Sequence, residues 1–178
     1  MGNRKLLNIE LGRVSAQEYK ELPESGVVLV LDNVRSAHNV GSAFRTADSF
    51  KVDKVWLCGI CAVPPSAEIH KSALGAEYSV EWEHVADTME AVRKLREEGY
   101  VIISIEQTAG SVMLDAFEPE PGRRYALVFG NEVSGVSQTV VDASDMSIEI
   151  PQYGTKHSLN VSVSVGIILW NFRPRQSR

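Results

Sequence analysis

Cysteine is scarce in this chain of 178 residues, which has two. Both sit in 56-WLCGICAV-63, a C-x-x-C that superficially suggests a redox site. Such a site needs its first thiol at a helix N-terminus, where the dipole lowers the pKa. Here Cys58 ends an apolar strand-like run and 63-VPPS-66 follows as a loop, so one core cysteine and one loop cysteine are expected. A zinc site would need two more ligands, and only His70 is near in sequence. Long apolar runs are also missing: none reaches the roughly 18 residues of a membrane span. The opening MGNRKLLNIELGRVS has neither the apolar block nor the cleavage site of a signal peptide. Leu6 stands where a myristoylation motif wants Ser or Thr, so a cytoplasmic protein is expected. There is no G-x-G-x-x-G, and no Lys-Ser/Thr follows the glycines of 130-GNEVSGVS-137, which leaves dinucleotide and P-loop sites without support.

What is present is ordinary for a soluble domain: 44% hydrophobic and 23% charged residues, enough for one real core. A net charge of −5 argues against indiscriminate nucleic-acid binding. The charge is uneven, however. Acidic residues crowd 81–98 and 115–120, while basic ones gather at Arg4-Lys5, from Arg35 to Lys54, and in 173-RPRQSR-178. That distribution permits a local basic surface on an acidic body.

Strand and helix signals alternate along the chain. A helical arm over 1–23 carries the capping box Ser15-x-x-Glu18 and stops at Pro23. Residues 24–178 form the main domain. Buried-type strands are expected at 27-VVLVL-31, 54-KVWLC-58, 100-YVIISI-105, 125-YALVF-129 and 146-MSIEI-150, with a short one at 78-YSVEW-82. Helices are expected from Asn39 through Phe50, over Ala67–Leu74, over 88–98 (capped by Asp87 and stopped by Gly99) and over 137–143. This pattern predicts a three-layer α/β domain on a largely parallel sheet, with ligands gathered beyond the strand C-terminal ends.

Three strand ends stand out. After the first strand comes 32-DNVRSAHNVGSAFRTAD-48. Asn39 can cap a helix there, and Gly41 allows close approach of another backbone or a ligand. Arg45 lies six residues on, read as roughly the same side of the helix. Taken alone, a cap plus a surface arginine is the favoured reading. The second is 130-GNEVSGVS-137, whose paired glycines predict a tight loop exposing backbone donors, or simply a turn into a helix. The third is 151-PQYGTKHSLNVSVSVG-166, in which Ser158 stands at a helix N-cap position. Val161 to Ile167 alternate like a strand, yet the apolar run continues through Trp170, so periodicity leaves strand or helix open. As a helix it would be apolar on most sides and buried in a core or an interface, with Ser162 and Gly166 letting a neighbour pack closely.

These blocks, in this order, resemble the three signature motifs of the SpoU/TrmH family of RNA ribose methyltransferases, in the SPOUT class. The matches are Asn39-x-Gly41 with Arg45-Thr46-Ala47, Gly130-x-Glu132-x-x-Gly135, and Ile150-Pro151 leading to Ser158-Leu159-Asn160-Val161. The resemblance implies a deep C-terminal trefoil knot, a helical last segment and a homodimer through that helix. It implies S-adenosylmethionine as cofactor, with contacts near Glu106, Gly130, Ile150 and Leu159, and neither metal nor membrane. It further implies methylation of a ribose 2′-hydroxyl. Arg45 would act as base or beside the substrate phosphate, while Asn39, Glu132, Ser158 and Asn160 orient the reacting groups. Because a guanidinium stays protonated, Arg45 is read as a cation that stabilises the developing alkoxide. Arg35, His38 and Lys156 are candidate phosphate contacts. The segments 100-YVIISIEQTA-109 and 149-EIPQYG-154 are similar to enzymes that methylate a D-loop guanosine, so tRNA is favoured and rRNA is the alternative. A catalytically silent RNA-binding knot and a redox protein on Cys58-x-x-Cys61 are the rival readings.

Overall fold

The computed structural model describes residues 2–12 and 14–173. A 3-10 turn at Asn8–Leu11 and a short helix α1 (Ala16–Glu21) precede the sheet. The Ser15 box forms in both directions, with Glu18 N–H donating to the Ser15 hydroxyl and Ser15 N–H to the Glu18 carboxylate. Buried Tyr19 ties this segment down. Its hydroxyl donates towards the carbonyls of Ala47 and Val52 at 3.4 and 3.3 Å.

Strands β1 (Val27–Asp32), β2 (Lys54–Cys58), β3 (Glu81–Val85), β4 (Val101–Ile105), β5 (Val112–Met113), β6 (Tyr125–Phe129) and β7 (Met146–Glu149) form one seven-stranded sheet. The order is β3-β2-β1-β6-β4-β7-β5, and every pairing is parallel. Alternation within the strands sends side chains to two cores. Leu29, Leu31, Val55, Leu57, Leu127 and Ile148 meet helices α2 (Ala37–Ser49), α3 (Ala67–Ala73) and α7 (Val161–Phe172) on one face. Val28, Val30, Trp56, Ile102 and Val128 meet α5 (Thr88–Glu97) and α6 (Gln138–Ala143) on the other. A parallel sheet buried on both faces explains why its strands read as continuous apolar runs.

Several expectations shift. The strand expected at 78–82 begins at Glu81, because Gly75 at φ 95 opens a one-turn helix α4 (Ala76–Ser79). β3 is then a polar edge strand in 81-EWEHV-85, where charge discourages further pairing. Ser36, not Asn39, caps α2: its hydroxyl accepts the Asn39 N–H. Asn160, not Ser158, caps α7 by accepting the Ser162 N–H at 2.8 Å.

The puzzling C-terminal run is a helix. Its buried residues Val165, Ile168, Leu169 and Phe172 recur at helical spacing, while Val163, Ile167 and Trp170 form a second, exposed apolar stripe. Two interleaved stripes produced the strand-like alternation. The close helix approach is not at Gly166, where an added Cβ would lie 4.0 Å from its nearest neighbour, Thr46 Cγ2. It is at Gly41 on α2, where a Cβ would sit 2.1 Å from Ser72 Oγ and 2.4 Å from the Ile69 carbonyl oxygen of α3.

Candidate active site

Beyond the C-terminal ends of β4, β6 and β7 lies a cleft of about 570 Å³. Its walls come from three loops. Residues 105–107 follow β4, residues 129–135 follow β6, and residues 148–164 carry the chain from β7 into α7. Ile148, Ile150, Leu159 and Val161 supply apolar surface. Glu106, Gly130, Glu132, Ser158 and Asn160 supply polar groups and backbone, a mixture suited to a small ligand.

Beside the cleft, three distant residues join in one chain. Asn160 Nδ2 donates to Asn39 Oδ1 at 3.2 Å, and Asn39 Nδ2 donates to Glu132 Oε1 at 2.9 Å. An amide has both a donor and an acceptor end, so Asn39 can accept from one partner while donating to the other. Asn39 is 6% exposed, and without these partners its buried amide would be costly. Burial pushes the Glu132 carboxyl up, but Asn39 and the backbone N–H groups of Glu132, Ser36 and Arg35 outweigh it. The net result is a carboxylate held below its ordinary value. The site thus presents a firmly ionised acid fixed to two amides.

The loop after β6 is built to hold its shape. Asn131 and Gly135 exchange backbone hydrogen bonds at 3.0 and 2.9 Å, and Asn131 Oδ1 accepts the Val133 N–H at 2.8 Å. A Cβ on Gly130 would lie 2.0 Å from the Gly135 and Val136 backbone. Gly135, at φ 68, leaves room for the Glu106 carboxylate, which accepts the N–H groups of Val136 and Gln107, both at 2.9 Å. The paired glycines therefore let the loop fold on itself, with Glu106 as its clamp.

Of the expected cofactor contacts, Glu106, Gly130, Ile150 and Leu159 all line the cleft. Glu132, Ser158 and Asn160 line it too, and Asn39 is joined to it through hydrogen bonds. Arg45 is not among the lining residues. Six residues of helix turn through about 600°, some 120° short of two full turns, so Arg45 and Asn39 face different ways. Asn39 points into the protein while Arg45 is exposed beside the α2–α7 contact. Among the described residues no hydrogen bond or ion pair holds its guanidinium. Arg35, His38 and Lys156 are exposed, the first two at the start of α2 and the third in the 150–160 loop. The basic tail beyond Arg173 lies outside the described residues.

Both cysteines are buried, and they join different cores; Cys61 Sγ accepts the Val34 N–H and donates to the Leu31 carbonyl at the end of β1. Burial raises both thiols, Cys61 to about 11, which is the reverse of an activated redox pair. Among the described residues no cluster of three or more metal-ligating side chains occurs, and no helix is long and apolar enough to cross a membrane.

Sequence reasoning missed the supports. Asp32, 2% exposed, accepts from Thr88 Oγ1, Asn33 Nδ2 and the Ser137 N–H, locking the ends of β1 and the loop after β6 together. Asn131 Nδ2 reaches the Asn33 carbonyl at 2.8 Å. Gln107 Nε2 donates to the His157 carbonyl at 3.1 Å, joining two walls of the cleft. The available signal was an Asp-Asn step directly after a buried strand.

Comparison with known proteins agrees with this geometry. The sequence matches the SpoU rRNA Methylase family over residues 26–170. A 23S rRNA (guanosine-2'-O-)-methyltransferase RlmB of Nitrosomonas europaea is 36% identical over 158 residues, covering 88% of this chain and 60% of the relative. The AdoMet-bound rRNA methyltransferase from Sinorhizobium meliloti superposes with a TM-score of 0.78 at 26% identity, over 86% of this chain and 59% of that one. The A. aeolicus TrmH/SpoU tRNA modifying enzyme gives 0.76 at 28%, over 88% and 80%. The chain spans about 60% of the length of the RlmB relative it matches. With its parallel sheet, its cleft and its three motif blocks, this chain belongs to the SpoU rRNA Methylase family.

Proposed function

We propose that the chain is an S-adenosylmethionine-dependent RNA methyltransferase acting on a ribose 2′-hydroxyl. The observation that carries this reading is the cleft at the ends of β4, β6 and β7, with the Asn160–Asn39–Glu132 chain on its rim. The residues fit the cofactor. Ile148, Ile150 and Leu159 offer apolar walls, while Glu106 and the loop at 130–135 offer polar edges. When bound, the cofactor supplies a methyl group already activated by a sulfonium. The chain's own task is then placement and charge. Glu132 and Asn160, held by Asn39, orient the ribose, and Ser158 adds a hydroxyl at the same rim. The 2′-hydroxyl proton passes to solvent, and Arg45, exposed outside the cleft lining, is the cation that stabilises the alkoxide developing at the 2′-oxygen.

The same reading includes the trefoil threading. It is supported by the passage of the chain from β7, between β4 and β5, through the 150–160 loop to α7 lying back against α2. It also includes a homodimer through α7, supported by the exposed stripe Val163, Ile167 and Trp170.

For the target, likeness to a 23S rRNA guanosine methyltransferase supports a guanosine ribose in 23S rRNA. The likeness to a tRNA modifying enzyme keeps a tRNA guanosine as the second reading. Mass spectrometry of ribose-methylated nucleosides in purified rRNA and tRNA, with and without the gene, tests both. Loss of one methylated guanosine from 23S rRNA is expected. Loss confined to tRNA selects the second reading, and no loss from either overturns the function.

A further inference from the structure

A second concavity, of about 500 Å³, lies at the β3 end of the sheet, away from the cleft. Pro64, Pro65, Tyr78 and Trp82 give it flat apolar walls, and His70 and Glu77 give it one polar feature. The Glu77 side chain is 4% exposed; Oε1 lies 2.6 Å from His70 Nδ1 and Oε2 accepts the Gly75 N–H. With a carboxylate as its partner, Nδ1 carries the ring proton. His70 Nε2 forms no hydrogen bond among the described residues and is left to meet a ligand. The Tyr78 ring stands 6.1 Å from the imidazole, and Tyr78 is 65% exposed. Nothing in the methyl-transfer reading uses these residues.

We propose that this pocket receives an unpaired nucleobase of the substrate RNA, an inference that rests on the RNA methyltransferase reading. A nucleobase has what the walls ask for, two flat faces and a hydrogen-bonding edge. A free anion would meet the Glu77 carboxylate instead. The pocket is also continuous with the expected RNA face. The α3 helix that carries His70 is pinned to α2 where Ser72 Oγ donates to the His38 carbonyl at 3.0 Å. His38 and Arg35 are exposed at the start of α2, the helix that also bears Asn39. The loop bearing Pro64 and Pro65 leaves β2 at the same C-terminal edge on which the cleft opens. From β6 to β3 is three strand spacings, roughly 14 Å, a distance that a few nucleotides cover. Stacking tolerates any base, so the pocket adds grip and register without reading sequence.

The test uses the full chain labelled with 5-fluorotryptophan, which has three reporters, Trp56, Trp82 and Trp170. On titration with a single-stranded RNA octamer of mixed sequence, the Trp82 fluorine signal should shift while that of Trp56, buried against α5, stays put. Tyr78→Ala should weaken the Trp82 response about tenfold, and Tyr78→Phe should keep it. In steady state Tyr78→Ala should raise KM for an rRNA transcript by a similar factor, leaving kcat and the AdoMet dissociation constant within twofold. A Trp82 signal unmoved at saturating octamer, or a shift that survives Tyr78→Ala, overturns the proposal. So does a response to a proline-rich peptide in place of RNA. The titration needs no methyl transfer. A wild-type chain that transfers no methyl group would sink the enzymatic reading, while the pocket would still be judged on the Trp82 signal.

Discussion

Helices α2 and α7 lie side by side, yet they divide their surfaces differently. The first buries a stripe of Asn39, Val40, Ala43, Phe44 and Ala47 and turns Arg45 and Ser49 to solvent. The second buries Val165, Ile168, Leu169 and Phe172, but its open side is also apolar, with Val163 50%, Ile167 36% and Trp170 61% exposed. One helix finishes its packing within the chain. The other leaves an apolar surface of the kind a second copy would cover. Their contact is loose at Gly166 and bridged at the edge by Phe50 against Trp170, ring centroids 6.5 Å apart. The tight packing of α2 is on its other flank, at Gly41 against α3.

Substitutions can separate these roles. The largest effect is expected from Arg45→Ala, which should lower the methyl-transfer rate at least a thousandfold while AdoMet affinity, by calorimetry, and the melting temperature stay unchanged. Retained transfer would remove the exposed face of α2 from the chemistry. Next is Gly41→Ala. Its Cβ would meet a backbone carbonyl that cannot swing aside, so a loss of about 3 kcal/mol is expected, a fall of roughly 6–12 °C in Tm. A Tm within 2 °C of wild type would show that α3 can yield.

Ile167→Asp should convert a dimer to a monomer in sedimentation with little change in Tm. If the wild type already sediments as a monomer, the open face of α7 has another partner. Glu132→Gln keeps an acceptor for Asn39 but loses the charge, and about a tenfold fall in rate is expected. The sign of its pH dependence follows from the lowered carboxyl. Its contribution is complete above the ordinary value of 4.5 and is lost only as pH falls through the lower value in the folded chain. An acid limb in the wild-type rate should therefore lie below 4.5 and vanish in Glu132→Gln. Gly166→Ala should change least. With 4.0 Å of clearance inside a helix, it should raise Tm by a few degrees or leave it alone.

Much of this was legible beforehand because it is local. The buried strands of a parallel sheet announce themselves as apolar runs, and 27-VVLVL-31 and 125-YALVF-129 stand within a residue of where they were expected. The Ser15 and Asp87 caps depend on a few neighbouring positions and formed as read. Less local features were displaced. Asn39 and Ser158 looked like caps because polar residues before apolar runs usually are. In the fold Asn39 instead faces partners 93 and 121 positions away, and Ser158 stands at the cleft.

The sequence by itself determined the alternation of elements and the two-faced core, since periodicity and turn chemistry act over a few positions at a time, and the resemblance of its three motif blocks pointed to the residues around the cleft. Only the tertiary structure decided that Asn39 turns inward while Arg45 turns out. It alone decided that Gly41 rather than Gly166 is where helices close up, and that the two thiols are buried in different cores. Those outcomes depend on which faces the packing buries, and no short window of residues contains that information.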